Sequence, residues 1–313
     1  MQCKICKQET QVAFRATILG HYDEVFYKCA HCGFLSAGEV HWLDEAYKEA
    51  INLSDTGIVA RNLYLYKVVA CVAYFFFGFR NILNGGGQNT TSQDSNKYSL
   101  KNPKNPHTTQ ISKQKILLDF GGGTGLLVRL LRDSGIEAFW EDKYCQNLFA
   151  RGFEWGSGNP RLLRLDSALS QEKLSKQAKI PTPELATSFE VFEHLPNPLE
   201  EIESMLSRAP NLLFSTELLP SFIPESSGQN TWWYYGFAHG QHISFYSYES
   251  LKFIAKKRGL YFYSFGGLHL FSVKKINPLA FRLVIKFAGK GLFLWVKKRL
   301  GSKTISDHLA LLG

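Results

Sequence analysis

Residues Lys115–Leu131 read KILLDFGGGTGLLVRLL: an apolar run, an aspartate, four glycines within five residues, and an apolar stretch at helical spacing. Few folds accept that succession. The apolar run has the length of a buried parallel strand. Glycines permit positive φ and let the backbone approach a ligand closely, and the helix that follows offers unpaired N–H groups. The pattern predicts a strand over 115–120 and a helix over 124–135, with Arg129 and Arg132 on its solvent side and Gly135 closing it. Strands are expected next at IEAFWED (136–142), ELATSFEVF (184–192) and NLLFSTELLP (211–220). A helix is expected at LEEIESMLSRA (199–209), acidic at its start and basic at its end as the helix dipole favours. This alternation predicts an α/β fold, a doubly wound and mostly parallel sheet with ligands at the carboxyl ends of its strands.

Two nucleotide readings of the turn fail. No Gly-Lys-Ser/Thr follows, which removes the P-loop. A dinucleotide turn needs glycine at position 126, and Leu126 stands there. What remains, Asp119-x-Gly121-x-Gly123-x-Gly125, resembles the first motif of class I S-adenosylmethionine (SAM) methyltransferases, of the Methyltransferase-23-like group. About 20 residues on, the second strand ends in Glu141 and Asp142. A carboxylate there can accept hydrogen bonds from ribose hydroxyls, with Asp142 preferred and a solvated turn as the alternative.

Ser188–Ile202, SFEVFEHLPNPLEEI, looks like the fourth-strand segment of the same group through Glu190, Val191, Phe192, Glu193, His194, Leu195 and Pro196. The resemblance implies that Glu190 and Glu193 lie beside the methionine half of SAM, with Asp166 as the adenine-side acid. Trp232–Leu260 resembles the segment after the fifth strand, through His242, the Tyr246-Ser247 pair and Gly259. The resemblance covers about 115–273 and implies a Rossmann-like fold with SAM as cofactor. Histidine is the side chain suited to proton removal near neutral pH, and of His194, His239 and His242 the last is preferred because it matches the family's histidine; His194 is read as orienting the cofactor end, with Tyr235 or its neighbour Tyr234 assisting. The alternative for His242 is a hydrogen bond to a loop backbone. The aromatic run TWWYYGFAHGQH fits either an acceptor-binding wall or core.

Cys3-x2-Cys6 and Cys29-x2-Cys32 form two knuckles 22 residues apart. Four thiolates make a closed tetrahedral shell, which predicts one structural Zn2+ in a zinc-ribbon-like module. Cys71 and Cys145 stand alone and read as packed thiols. A zinc module ahead of a SAM domain resembles sugar C-methyltransferases of deoxysugar pathways and methyltransferases linked to surface glycans. In that family the N-terminal part helps cover the acceptor.

Composition divides the chain into a zinc module (1–38), a helical segment (39–83), a polar linker (84–114), the methyltransferase domain (115–275) and a basic tail (276–313). The formal charge of +9 is uneven: 251–313 carries 13 Lys/Arg and one acid, Asp307, while the first 250 residues hold 23 basic and 26 acidic side chains. Basicity outside the cleft argues against nucleic acid as partner. On a helical wheel Arg282, Lys286, Lys290 and Lys297 share a stripe, opposite Phe281, Val284, Ala288, Leu292 and Trp295. Such a helix suits an anionic membrane face, or packs on the domain with its lysines in water. Gly289 and Gly291 weaken it. The start MQCKICKQET has no apolar signal region, and the longest apolar run, Val68–Phe79, falls short of a bilayer span of about 20 residues. That run reads as a buried helix, and the expected location is cytoplasmic, with the tail at the inner membrane face.

The function expected is a SAM-dependent methyltransferase acting on a small-molecule or glycan-related acceptor, with a sugar nucleotide or lipid-linked sugar favoured. The alternatives are an RNA-modifying methyltransferase and a non-catalytic SAM-fold protein that binds a partner or membrane.

Overall fold

A computed structural model describes residues 1–48, 55–80, 114–165 and 180–312. The linker at 84–113 and Asp166 lie outside the described residues. The N-terminal segment forms β1 (Thr10–Ile18), β2 (Tyr22–Cys29) and β3 (Leu35–Ala37), each antiparallel to the next. Within the helical segment the first described helix, α1, is only Leu43–Ala46. Ile58–Phe77 forms α2, a 20-residue helix closed by Gly78 at φ +69°. By length and composition α2 could cross a membrane. Eight of its residues, among them Leu65, Val68, Val69 and Val72, are instead buried in the core.

The main sheet follows the alternation of the sequence. β4 (Ile116–Phe120) is buried at every position and leads through α3 (Leu126–Arg132) to β5 (Glu137–Glu141). After a short helix, α4 (Pro160–Leu165), come β6 (Leu185–Ser188), α5 (Pro198–Arg208) and β7 (Asn211–Ser215). β8 is the pair Ser244–Phe245, followed by α6 (Tyr248–Lys257), β9 (Tyr261–Phe265) and β10 (Leu268–Ser272). The six strands lie in the order β5-β4-β6-β7-β10-β9; the first four run parallel, and β10 is antiparallel to both neighbours. β4 stands between β5 and β6, so the direction of winding reverses there. The carboxyl ends of β4 and β6 flank that switch point, where open α/β sheets bind ligands.

Three expectations about the sheet and α3 need correction, the first being that β7 ends at Ser215 rather than running to Pro220. β6 stops at Ser188 rather than running to Phe192, because Glu190 turns the chain at φ +54°. Arg132 is not on the solvent side: it is 3% exposed and pairs with Asp307 (2.7 Å) and Glu137 (2.6 Å). Asp307, the tail's single acid, thereby pins that end of the chain to α3.

The tail packs on the domain. α7 (Pro278–Phe287) and α8 (Phe293–Leu300) bury Phe281, Val284, Ile285, Phe293, Val296 and Leu300 in the same core as α2, and α9 (Thr304–Leu312) carries Asp307. The glycines break the helix between them, with Gly291 at φ +103°. Arg282, Lys286, Lys290 and Lys297 are exposed. So is Trp295 (42%), which the wheel had placed on the buried side.

The N-terminal sheet is joined to the domain. β3 pairs with β8, giving the order β1-β2-β3-β8, and Ser247 Oγ donates to the Cys32 carbonyl at 2.6 Å. β8 begins two residues after His242, so the cysteine-bearing module holds a segment of the candidate site.

Candidate functional site

The turn after β4 takes the form its glycines permit. Gly121, Gly123 and Gly125 have φ of +64°, +53° and +84°, values that cost an L side chain about 1–2 kcal/mol. A Cβ on Gly121 would lie 2.5 Å from Val191, and one on Gly125 2.7 Å from Asn147 and 2.9 Å from Ala150. A Cβ on Gly123 would meet nothing within 4 Å, so the backbone there faces open space. Asp119 is buried beneath the turn and accepts a 2.6 Å hydrogen bond from Thr187. Burial pushes its carboxyl up to about 7, Asp142's charge adding and the Thr187 bond opposing.

The second-strand acids are already partnered. Asp142 accepts from three backbone N–H groups, Gly123 (2.8 Å), Tyr144 (2.7 Å) and Cys145 (2.8 Å). It latches the turn to the next loop, which leaves about one of its four acceptor sites open. Glu141 is held in a two-pronged pair by Arg208.

The chain leaves β6 through Glu190, whose N–H donates to Ser215 Oγ (2.8 Å) and whose carboxylate accepts from the same hydroxyl (2.7 Å). Strained non-glycine residues of this kind cluster at functional sites. A single 3-10 turn, Phe192–His194, then carries Glu193 and His194, anchored by Phe192 stacked on Phe214 at 4.0 Å. His242 reaches the same place because Ile243 N–H donates to the Glu193 carbonyl and Ser244 Oγ to the Leu195 carbonyl. The His194 and His242 rings stand edge to face, centroids 4.9 Å apart. Each ring's Nδ1 meets a backbone carbonyl, Gln241 at 3.1 Å for His194 and Tyr234 at 2.6 Å for His242. A carbonyl only accepts, so each neutral ring is protonated at Nδ1 and bare at Nε2. Burial lowers His194 to about 3 and His242 to about 4, although each ring keeps some exposed surface. His239 Nδ1 accepts from Gln241 N–H, which leaves its bare nitrogen occupied.

Tyr235 does not join this group. Its hydroxyl bonds the Pro224 carbonyl, and its ring packs with Phe237 and Phe245 in the core of the N-terminal sheet. The neighbouring Tyr234 faces the site instead, 4.8 Å from the His242 ring, with its hydroxyl 3.1 Å from Thr216 Oγ1. The 3-10 turn Trp233–Tyr235 sends adjacent side chains to opposite sides, so the aromatic run is divided between core and site.

Among the described residues, three buried side-chain polar atoms lack a hydrogen-bond partner, and all belong to this segment: Ser188 Oγ and both carboxylate oxygens of Glu193. Native interiors keep few such atoms, and each needs a reason. Burial, with the charge of Glu190 adding, pushes the Glu193 carboxyl up to about 8. Sequence reasoning missed Ser188, Thr187, Ser215 and Arg61. The first three lie at or beside strand ends, where a search of carboxyl termini would find them. Arg61, in α2, pairs with Asp55 (2.6 Å) and lies 3.8 Å from Glu190, with no local signal for either.

The four N-terminal cysteines converge. Cys3 and Cys32 sulfurs lie 3.6 Å apart, Cys6 and Cys29 3.4 Å, and all four within 4.8 Å. Sulfurs at the corners of a zinc tetrahedron stand ~3.8 Å apart for bonds of about 2.3 Å. Backbone N–H groups of Ile5 and Cys32 point at Cys3 and Cys29, as knuckle turns do. A hollow of about 400 Å3 bordered by Gly152, Glu154, Trp155 and Asn159 holds none of the candidate residues.

The family model described as "Methyltransferase domain" matches residues 96–264, more than half of the chain. No curated protein matches. Among solved structures, the chain is similar to CalO1, a methyltransferase in calicheamicin biosynthesis in its SAH-bound form, at 11% identity and TM-score 0.34, covering 50% of this chain and 48% of that one. It is similar to TnmH at 16% and 0.40, covering 75% and 63%. It is also similar to an O-methyltransferase family 2 protein from Planctomyces limnophilus in complex with apigenin, at 15% and 0.32, covering 56% and 55%. The chain thus spans between about half and three fifths of the length of these structures. With the glycine turn at the sheet's switch point and the family model over more than half its length, this chain belongs to the methyltransferase-domain family of SAM-dependent enzymes.

Proposed function

We propose that this protein methylates a hydroxyl of a small acceptor, sugar-type by preference, using SAM bound at the carboxyl edge of β4 and β6. The observation that carries the reading is the open backbone above Gly123, in a turn whose Gly121 abuts Val191, two residues before Glu193. When bound, SAM supplies an electrophilic methyl on a sulfonium. The residues present fit it: Gly121–Gly125 leave room for its backbone-side contacts, Asp142 retains an acceptor site, and Glu190 gives the methionine side the negative environment a sulfonium favours. The hydroxyl must lose its proton as it reacts, and the two Nε2-bare imidazoles, Tyr234 and Glu193 are the polar groups at that place. The aromatic rings of Tyr47 and Tyr144, stacked at 5.7 Å next to His194, suit a sugar or ring face.

The charge around the site supports a small acceptor over RNA. Asp55, Glu190 and Glu217 gather there, and Arg61 is tied to two of them. A polyanion needs the opposite sign. Mass spectrometry of a metabolite and glycan extract incubated with the protein and methyl-labelled SAM tests the reading. A labelled hydroxylated small molecule is expected; label in RNA alone, or none despite SAM binding, overturns it.

The cysteine cluster is proposed to hold one zinc, whose role is structural because four thiolates leave no open position. A second surface supports delivery of the acceptor at an anionic membrane. Val59, Leu63, Tyr64 and Phe75 of α2 are exposed beside Leu283, Phe287, Leu294 and Trp295 of α7 and α8, with Phe75 stacked on Trp295 at 5.9 Å. Arg282, Lys286, Lys290 and Lys297 are exposed on the same tail helices. Apolar side chains interleaved with cations are what an interfacial helix needs.

A further inference from the structure

Glu193 is fully buried, and neither of its oxygens has a hydrogen-bond partner. Leaving a buried carboxyl bare costs several kcal/mol in an apolar setting. Tyr234 and Arg61 lie near enough to favour the Glu193 carboxylate, but the Tyr234 hydroxyl makes its 3.1 Å pair with Thr216 Oγ1 and reaches neither Glu193 oxygen with hydrogen-bond geometry. The groups that face Glu193 are His194 and His242, and one ligand atom from each of the three residues lies within 4.8 Å of the others. Both rings carry their proton on Nδ1, fixed by a backbone carbonyl, and present a bare Nε2. That is the outer-shell arrangement found behind metal-ligating histidines, where the carbonyl sets the tautomer and the orientation of the ring.

A proton-relay reading accounts for less. It needs a Glu–His hydrogen bond, and Glu193 makes none. It uses one histidine and leaves the other unexplained. One cation accounts for the bare carboxylate, both fixed tautomers and the convergence of all three. Three donors bound to one ion at ~2.1 Å stand about 3.0–3.6 Å apart, so a set now within 4.8 Å closes by side-chain movements of about 1–2 Å.

We propose that Glu193, His194 and His242 hold one divalent first-row transition-metal ion, through a carboxylate oxygen and the two Nε2 atoms. Two imidazoles and one carboxylate suit Fe2+, Co2+ or Zn2+, not Ca2+, which takes six to eight oxygens. Three protein ligands leave open positions, and the partly exposed rings leave a way in. One open position takes an oxygen of the methyl acceptor; this clause alone rests on the proposed function. A hydroxyl bound to such an ion gives its proton to a neighbouring water near neutral pH, the O–H pair remaining on the oxygen. His242 is then a ligand that acidifies the acceptor through the ion, not a base. The site is separate from the cysteine cluster, which offers only sulfur.

The test titrates Co2+ alone into the full chain carrying a single equivalent of zinc, held by the four cysteines, and follows visible d–d absorption. Near-ultraviolet thiolate bands would report exchange into the cysteines. One equivalent of Co2+ is expected, without thiolate bands. Glu193→Gln and His242→Gln should each weaken it at least 10-fold, Glu193→Asp should retain it, and His41→Gln, at an exposed side chain, should leave it unchanged. Thermal melts identify any variant that fails to fold, and His242→Gln or Glu193→Asp then carries the result. No Co2+ bound outside the cysteines, or parental affinity in both Gln variants, overturns the proposal. SAM calorimetry on the same samples keeps that failure distinct from failure of the methyltransferase reading.

Discussion

Replacing Gly123 with alanine separates what the turn needs from what its ligand needs. Gly123 has φ +53°, so an alanine there is strained by about 1–2 kcal/mol. No further stability loss is expected, because the new Cβ meets no protein atom within 4 Å. For a domain of this size that is a fall of roughly 2–8 °C in Tm. The same Cβ enters the open space assigned to SAM. Overlap by one methyl should weaken binding at least 10-fold, about 1.4 kcal/mol in affinity. Gly125→Ala is the control. Its Cβ would stand 2.7 Å from Asn147 and 2.9 Å from Ala150, so its damage should fall on stability first. Scanning calorimetry and SAM titration on the two variants give all four numbers. If Gly123→Ala loses the expected stability but binds SAM within two-fold of the parent, the glycine serves only the turn and the site lies elsewhere.

Four further outcomes are expected. Elemental analysis should find one zinc per chain with none of Cys3, Cys6, Cys29 and Cys32 reactive; a metal-free protein with all four thiols titratable contradicts the zinc site. Asp307→Ala removes the two-pronged partner of buried Arg132 while Glu137 remains, which should cost about 3 kcal/mol in urea unfolding; a loss below 1 kcal/mol means the pair contributes little. His269, buried and neutral, is lowered to about 4 by burial. The unfolded chain therefore takes up the proton first, at about 6.5, so stability should fall as pH drops from 6.5 to 4, by ~3 kcal/mol from this group. His269→Gln should flatten that limb, and an unchanged pH slope refutes the assignment. Lys286→Glu combined with Phe287→Ser should reduce sedimentation with phosphatidylglycerol-containing vesicles at least 10-fold while leaving phosphatidylcholine vesicles unaffected; equal sedimentation of parent and variant removes the membrane surface. Point changes are preferable to cutting the tail, because Asp307 and the buried face of α7 and α8 belong to the fold.

Features carried by neighbouring residues were legible before the structure. The strand, turn and helix from Ile116 to Arg132 follow from local periodicity and glycine chemistry, and the break at Gly289–Gly291 from propensity. Glu193 and His194 were found as one short motif, and four cysteines by their spacing. What escaped depends on partners distant in the chain. Arg132 looked solvent-facing from the helical pattern because its acid partner Asp307 lies 175 residues later. The dipeptide Ser244–Phe245 carries no strand signal of its own; pairing with β3 makes it one. Tyr234 and Tyr235 are indistinguishable in sequence, and the backbone turn at Trp233–Tyr235 decides which reaches the site. The tautomers of His194 and His242 depend on which backbone carbonyl each ring meets.

Co-crystallisation with S-adenosylhomocysteine tests the central claim most directly. One molecule per chain should lie above Gly123 between the ends of β4 and β6, with its sulfur toward Glu193, His194 and His242. Density elsewhere, or calorimetry that detects no binding of either SAM or its product to the folded, zinc-loaded chain, would contradict the account.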